Sequence, residues 1–142
     1  MIDSRKLEDL CPRVKAKAEK FVAECKAAGV EVMIYSTYRD NESQDYIYAQ
    51  GRTRPGAIVT KAKGGDSFHN YRVAFDFVPL KEGKAQWSDT KLYDKCGTIA
   101  EKCGLEWGGK WKFKDMPHCQ DIGGHTLDQF KKKQVPESWF KG

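Results

Sequence analysis

The 142-residue chain has no long apolar run, and nothing in it approaches the roughly 20 consecutive apolar residues that a membrane-spanning helix needs. Its first segment, MIDSRKL, lacks the apolar core of a secretory signal. No repeat, low-complexity tract or second domain is visible. We therefore expect one domain over residues 1–142, which starts in the cytoplasm and does not insert stably into a membrane.

The five cysteines include no CxxC pair, and their number is odd. In a chain without a secretory signal, buried reduced thiols that act as small hydrophobic side chains are the expected state. We therefore predict that the protein has no disulfide. Cys119 follows His118 directly, which suggests a Cys–His nucleophile pair. Adjacent residues on a strand point to opposite faces, however, and this disfavours such a pair.

The charge of the chain is modestly positive, with 25 Lys and Arg residues against 20 Asp and Glu residues, a net charge of +5. Such an excess suits an anionic polymer, either nucleic acid or a cell-wall or lipid surface. The basic residues are scattered, and the only run of three, 131–133, is typical of a solvated helical face. Charge alone therefore identifies no partner, and we expect no nucleic-acid binding.

Hydrophobic periodicity predicts helices that alternate with short strands. This order favours an α+β fold with a small, largely antiparallel sheet flanked by helices. Residues 51–66 are rich in Gly and basic side chains and predict a long loop, and loops of this length are usually functional. The predicted helices begin at Pro12, Asn41 (in a capping box), Ser88 or Asp89, and Thr126, and the predicted strands cover 30–35, 69–79 and a last segment with His118.

The chain contains only three His, and two of them stand near acidic residues that could share a metal. Asp76 lies in an apolar strand pattern, where a carboxylate is costly to bury unless it is paired or bound to metal. His69, Asp76 and His118 would leave a tetrahedral zinc one position for water, which is typical of a catalytic site. Asp115 precedes His118 by three residues and is a candidate general base, with Glu106 as the alternative.

One spacing in this set is irregular. His69 and Asp76 are seven residues apart, so on a regular strand their side chains would point to opposite faces. A turn or bulge between them is needed to bring both to one site. The third histidine, His125, follows two glycines and is interpreted as a loop residue.

Five segments of the chain, taken together, resemble the zinc D,D-carboxypeptidase/L-alanyl-D-glutamate peptidase superfamily. The resemblance is greatest to phage endolysins of the L-alanyl-D-glutamate peptidase type, and it extends over residues 34–130. The segments are Tyr38-Arg39…Gln44, Gly51-Arg52-Thr53…Gly56…Val59-Thr60, Ser67-x-His69…Ala74-x-Asp76, Gly104-Leu105-Glu106-Trp107-Gly108-Gly109-x-Trp111 and Asp115-x-Pro117-His118.

The resemblance implies the small α+β fold that these peptidases share with the Hedgehog signalling domain. It also implies a role for each matching residue. His69, Asp76 and His118 would hold Zn2+, Asp115 would be the general base, and Arg39, Gln44 and Ser67 would position the peptide, with the Arg also stabilising the anionic intermediate.

The implied function is that of an endolysin which cuts the L-Ala–D-Glu bond of peptidoglycan stem peptides and lyses the host cell. We expect a monomer without a separate cell-wall-binding domain, which leaves the host cytoplasm and acts in the periplasm. One alternative is a carboxypeptidase that removes terminal D-Ala, although this activity normally needs export. A second is a non-catalytic metal-binding or wall-binding module, which should lack the base or a ligand.

Two features of the family resemblance remain open at the level of sequence. The family commonly has Gly at the position of Arg72; we expect an ordinary backbone there, with the side chain at the rim of the site near substrate carboxylates. Trp107 and Trp111 are interpreted as core residues, with a wall of the substrate site as the alternative.

Overall fold

A computed structural model describes residues 1–141 and contains one antiparallel sheet with helices packed against it. The helices are α1 (Pro12–Ala27), α2 (Asn41–Ala49), α3 (Thr90–Lys102) and α4 (Leu127–Lys131), and the strands are β1 (Glu31–Ser36), β2 (Ala74–Lys81), β3 (Lys84–Ala85), β4 (Glu106–Trp107) and β5 (His118–Gln120). The strand order is β1-β2-β5-β4, and β3 pairs with β2. This architecture confirms the predicted α+β class.

The described residues also form four short 3-10 helices: Leu7–Asp9 before α1, Phe68–Tyr71 and Gly108–Lys110 between larger elements, and Glu137–Phe140 after α4. Within residues 1–141, no helix has the length and apolar character that crossing a membrane requires.

Helices α2, α3 and α4 begin at side-chain caps, and one of these caps differs from the prediction. The Asp89 side chain accepts from the Leu92 backbone N–H and starts α3, as predicted. At α2 the predicted cap, Asn41, is already the first helical residue. The cap is Asp40, whose carboxylate accepts from the Ser43 N–H at 2.8 Å. An Asp beside an Asn offers two equivalent starting points, and the structure uses the earlier one.

The predicted strand 69–79 is too long at its start. Residues Phe68–Tyr71 form a 3-10 turn, and β2 begins only at Ala74. Between them Arg72 adopts the left-handed conformation (φ 65°, ψ 25°), so the expected ordinary backbone at Arg72 is wrong. This turn is the irregularity that the odd spacing of His69 and Asp76 required.

Arg72 also lies away from its expected position at the rim of the site. Its guanidinium stacks on the Tyr38 ring, 3.8 Å from the ring centroid, and donates to the Asp9 carbonyl oxygen at 2.9 Å. A left-handed residue without glycine's freedom is strained. The two contacts hold the side chain on the far side of the turn and offset that strain.

The core lies between the sheet and helices α1 and α3. Its largest fully buried side chains are aromatic, among them Phe21, Phe75, Phe77 and Tyr93. All five cysteines are buried as free thiols, and the absence of a disulfide from the purified protein stays a prediction. Cys119 points into this core, so it forms no catalytic pair with its neighbour.

Trp107 and Trp111 have different environments. Trp107 is buried in the core, as predicted, and its indole N–H donates to the Met116 carbonyl oxygen at 2.7 Å. This hydrogen bond ties β4 to the segment just before β5. Trp111 is only half-buried, and its ring centroid lies 5.2 Å from that of His118.

Helix α3 packs so closely on Trp107 that there is no room for a side chain at Gly97. A Cβ atom added at Gly97 would lie 2.2 Å from the indole. Ala normally favours a helix over Gly by about 1 kcal/mol, but here overpacking should outweigh that gain. We expect Gly97→Ala to lower the free energy of unfolding in urea by about 1–3 kcal/mol.

Thr98→Ala is the matched control, because Thr98 lies on the exposed face of the same helix. Its free energy of unfolding should stay within about 0.5 kcal/mol of that of the wild type. A Gly97→Ala protein as stable as the wild type would show that the contact between α3 and Trp107 is looser than described.

Candidate metal centre

His69, Asp76 and His118 meet at one end of the sheet. Asp76 and His118 are directly paired residues of β2 and β5, and His69 reaches them from the 3-10 turn. Asp76 Oδ1 lies 3.3 Å from His69 Nε2 and 3.5 Å from His118 Nδ1. In a tetrahedral zinc site with bonds of 2.0–2.1 Å, neighbouring ligand atoms are about 3.3–3.4 Å apart. The observed spacing of these donors therefore suits a zinc ion.

Hydrogen bonds behind the two imidazoles orient them for this purpose. His69 Nδ1 lies 2.9 Å from the Thr37 carbonyl oxygen. A carbonyl only accepts, so Nδ1 carries the proton and the Nε2 lone pair faces Asp76. His118 Nε2 lies 2.7 Å from Gln120 Oε1, which leaves the Nδ1 lone pair facing the same carboxylate. Metal-binding histidines are commonly held in this way.

The electrostatics of the three residues favour a bound cation. Burial would raise the pKa of Asp76, but the two neighbouring imidazoles outweigh it and hold the pKa of this carboxyl below its usual range. Burial would lower the pKa of His118, yet the hydrogen bond to Asp76 and its charge raise it. The carboxylate therefore stays ionised, and its lone pairs attract either protons or a metal to the space between the rings.

Of the two candidate general bases, only Asp115 lies at the cleft. Its Oδ2 is 3.9 Å from His118 Nδ1, too far for a hydrogen bond, and its side chain is half-exposed. Desolvation raises the pKa of Asp115 above that of an ordinary carboxyl, which makes it a better proton acceptor. Glu106 lies on β4 outside the cleft, and its carboxylate accepts a hydrogen bond from Gln120.

The three candidate ligands form part of the wall of an open cleft of about 430 Å³. Residues Val59 and Thr60 of the loop between α2 and the 3-10 turn supply another part of its wall, which agrees with the functional role expected for that loop. The other lining residues are Tyr35, Arg39, Ile47, Ser67 and Asp115.

Arg39 is fixed on this wall by a set of acceptors. Its guanidinium donates to Gln44 Oε1 and to Ser36 Oγ, both at 2.9 Å, and its Nε lies 3.5 Å from Asp3 Oδ1. A cation held in this way can meet negative charge in the cleft without first being ordered.

The other two residues predicted to position substrate have different environments. Ser67 lines the cleft, and its hydroxyl accepts from the His69 N–H at 3.2 Å, so it also caps the 3-10 turn. Gln44 is 1% exposed and does not line the cleft. Its amide holds Arg39 on one side and donates to the Ala62 carbonyl oxygen at 2.8 Å on the other. Gln44 therefore supports the site from behind.

Sequence reasoning did not identify Thr37, Gln120 or Tyr35. Gln120 could have been found, because it shares a strand face with His118 two residues away. Thr37 acts through its backbone carbonyl, so its residue type carries no signal. His125 lies against Phe130 and Trp139, apart from the other two histidines, as predicted for a loop residue.

Comparison with known proteins identifies the family. The family model described as D-alanyl-D-alanine carboxypeptidase matches residues 60–121. The peptidoglycan L-alanyl-D-glutamate endopeptidase CwlK of Bacillus subtilis is 41% identical over 124 residues, which cover 80% of this chain and 74% of that protein. The L-alanyl-D-glutamate peptidase of a Listeria phage is 33% identical over 127 residues, or 87% of this chain but 42% of the phage protein. The chain therefore belongs to the family of peptidoglycan peptidases that includes these relatives, and it is a metallopeptidase.

Solved structures show the same fold. The L-Ala D-Glu endopeptidase ChiX of Serratia marcescens superposes with a TM-score of 0.60 at 21% identity, over 84% of this chain and 87% of that one. The vancomycin-resistance D,D-pentapeptidase VanY, crystallised with Zn(II), gives 0.61 at 15% identity, over 87% and 76%. These similarities confirm the D,D-peptidase-like fold that the sequence motifs implied.

The geometry of the site leads to a test of metal binding. We expect one zinc per chain in the purified protein, measured by elemental analysis, and loss of that zinc in His69→Ala and His118→Ala. Zinc affinity should also fall as the pH is lowered, because both imidazoles must be neutral to coordinate. His125→Ala, which removes the remaining histidine, is the control and should keep its zinc. Full occupancy in either ligand variant would overturn the assignment.

Proposed function

We propose that the protein is a zinc-dependent endopeptidase that hydrolyses the L-Ala–D-Glu bond of peptidoglycan stem peptides. The observation that carries this proposal is the geometry of the cleft, where three oriented donor groups lie close together and a fourth group, a carboxylate, lies next to them without bonding to them. The Bacillus relative, named for the same bond, supports the choice of substrate. The three donors are His69, Asp76 and His118, and the free carboxylate is Asp115.

Each residue has a distinct role in this proposal. A zinc ion held by the three donors would polarise the peptide carbonyl and acidify a water molecule. Asp115 lies at the cleft mouth, next to His118, and takes the proton from the attacking water. It then returns this proton to the amine that leaves when the amide bond breaks.

Arg39 supplies positive charge to the same wall of the cleft. As the water attacks, negative charge develops on the former carbonyl oxygen, and a pre-oriented cation stabilises that charge better than mobile solvent does. The hydrogen bonds to Gln44 and Ser36 hold the guanidinium in place before the substrate arrives. Ser67 and Thr60 offer hydroxyl groups along the cleft to the peptide backbone.

The role of Asp115 can be separated from metal binding. Asp115→Asn keeps the shape of the side chain but cannot accept a proton, so we expect turnover to fall about 100- to 10,000-fold. Zinc content and thermal unfolding should remain those of the wild type. Glu106→Gln is the matched control, because it makes the same chemical change in the other candidate base; its turnover should stay far above that of Asp115→Asn. Near-normal turnover by zinc-loaded Asp115→Asn would refute the proposal.

A carboxypeptidase that releases terminal D-Ala is the second candidate function. The description of the matching family model favours it, since that model is named for D-alanyl-D-alanine carboxypeptidase. Both reactions need the same donors and base, so the metal site does not distinguish them. The two curated relatives, both named for the L-alanyl-D-glutamate bond, favour the endopeptidase.

Mass spectrometry of the products formed from defined muropeptides decides between the two activities. We expect cleavage between L-Ala and D-Glu, which leaves L-Ala on the muramic acid and releases a peptide with D-Glu at its amino end. A product mixture that contains only free D-Ala and the shortened stem peptide would assign the protein to the carboxypeptidases.

We further propose that the protein is an endolysin, an enzyme that degrades the wall of a host cell and so lyses it. The phage relative supports this role. On this proposal the protein is made in the host cytoplasm, is released to the periplasm, and acts there as a monomer on the stem peptide. Its net charge of +5 would favour contact with an anionic envelope.

A further inference from the structure

Behind His118 lies a chain of two further side chains that the proposed mechanism does not use. His118 Nε2 lies 2.7 Å from Gln120 Oε1, and Gln120 Nε2 donates in turn to Glu106 Oε2. Gln120 is 3% exposed, while Glu106 is exposed to solvent. The chain of hydrogen bonds therefore runs from the buried metal centre to the surface.

The sheet holds these three residues rigidly in line. His118 and Gln120 are two residues apart on β5, so their side chains project from the same face. Glu106 on β4 is the direct antiparallel partner of Gln120. Directly opposed side chains on neighbouring strands are in contact range, which requires no loop to order first.

The chemistry of the three groups permits only one direction of donation along these hydrogen bonds, from His118 to Gln120 and from Gln120 to Glu106. An ionised carboxylate has only acceptor oxygens, so Glu106 binds the NH2 group of the Gln120 amide. The amide oxygen must then face His118, and the ring can meet it only with an N–H. With the proton on Nε2, the Nδ1 lone pair of His118 faces Asp76. A reversed amide would place its oxygen against the Glu106 carboxylate, which is repulsive.

We propose that Glu106 and Gln120 are positioning residues that orient and polarise the His118 imidazole for binding the metal through Nδ1. This inference rests on the proposed zinc site and assigns it an outer partner on β4. The negative charge of Glu106, transmitted through the Gln120 amide, makes the ring a stronger electron donor. His69 differs, since its orienting partner is a backbone carbonyl that no substitution removes.

The sharpest test reverses the direction of these hydrogen bonds by a substitution at the exposed residue Glu106, which leaves the buried residues unchanged. In Glu106→Lys, the ammonium group is a donor and attracts the Gln120 oxygen, which turns the NH2 group towards His118. We expect zinc affinity, measured by competition with a chromophoric chelator, to fall about 10- to 100-fold. Glu101→Lys makes the same charge change on α3 at another exposed residue, one that pairs with Lys110. Its zinc affinity should stay within about twofold of the wild type, since salt screens exposed charges.

A double substitution tests the direction of the hydrogen bonds separately from the net charge of the two side chains at positions 106 and 120. E106Q/Q120E moves the carboxylate one step closer to His118 at constant net charge, and the amide at position 106 can still donate to it. Zinc affinity should therefore equal or exceed that of the wild type. The His118 Nε2–H proton should give a slowly exchanging NMR signal in the zinc-loaded wild type and the double variant. In Glu106→Lys this proton no longer has an amide oxygen as its acceptor, so it should exchange with water too fast for its signal to be seen.

The outcomes separate the two proposals. If wild-type protein binds no zinc, the proposed function fails and the positioning role fails with it. If the wild type binds zinc and Glu106→Lys matches Glu101→Lys in affinity and retains the Nε2–H signal, only the positioning role is overturned. Circular dichroism checks that each variant is folded. If Glu106→Lys does not fold, the E106Q/Q120E variant alone tests the inference. Zinc binding by this variant that is 10-fold weaker than that of the wild type would overturn it.

Discussion

The largely buried carboxylate of Asp76 is the group on which the rest of the site depends. It lies on a central strand between two imidazoles, and removing such a charge from water costs several kcal/mol unless partners compensate. His69 and His118 provide that compensation, one from each side. The surrounding structure can then be understood as the means by which two rings are brought to one carboxylate and kept there.

Two different devices bring the rings into place. His118 arrives through strand pairing, because it is the direct partner of Asp76 across β2 and β5. His69 arrives through a 3-10 turn that ends in the left-handed residue Arg72. A non-glycine residue in that conformation costs on the order of 1–3 kcal/mol. The stacking of Arg72 on Tyr38 and its hydrogen bond to Asp9 offset this cost, so the strain is supported from outside the site.

The meeting of His69, Asp76 and His118 at one place could be predicted from the sequence, because these are rare residue types in informative surroundings. An Asp in an apolar strand and two of only three histidines leave few alternatives. The odd spacing of His69 and Asp76 even required a turn between them. The conformation of Arg72 could not be predicted, because it depends on contacts with Tyr38 and Asp9 that lie far away in the chain. The same applies to Gln44, whose position behind Arg39 results from the packing of the loop that contains Ala62.

Glu106 shows most clearly what spacing alone cannot decide. As a carboxylate near the metal-binding motif it was a reasonable alternative to Asp115 as the general base. The distinction between them depends on where each side chain lies relative to His118, and for Glu106 this is set by the register between β4 and β5. A two-residue strand such as β4 gives too short a sequence pattern to predict that register. The register between β4 and β5 places Glu106 behind His118, where its carboxylate contacts Gln120 and lies outside the cleft. Asp115 precedes β5 and lies in front of the same ring, at the open cleft. Two carboxylates thus flank one imidazole from opposite sides, and this difference in position is the reason for proposing proton transfer for Asp115 and positioning of His118 for Glu106.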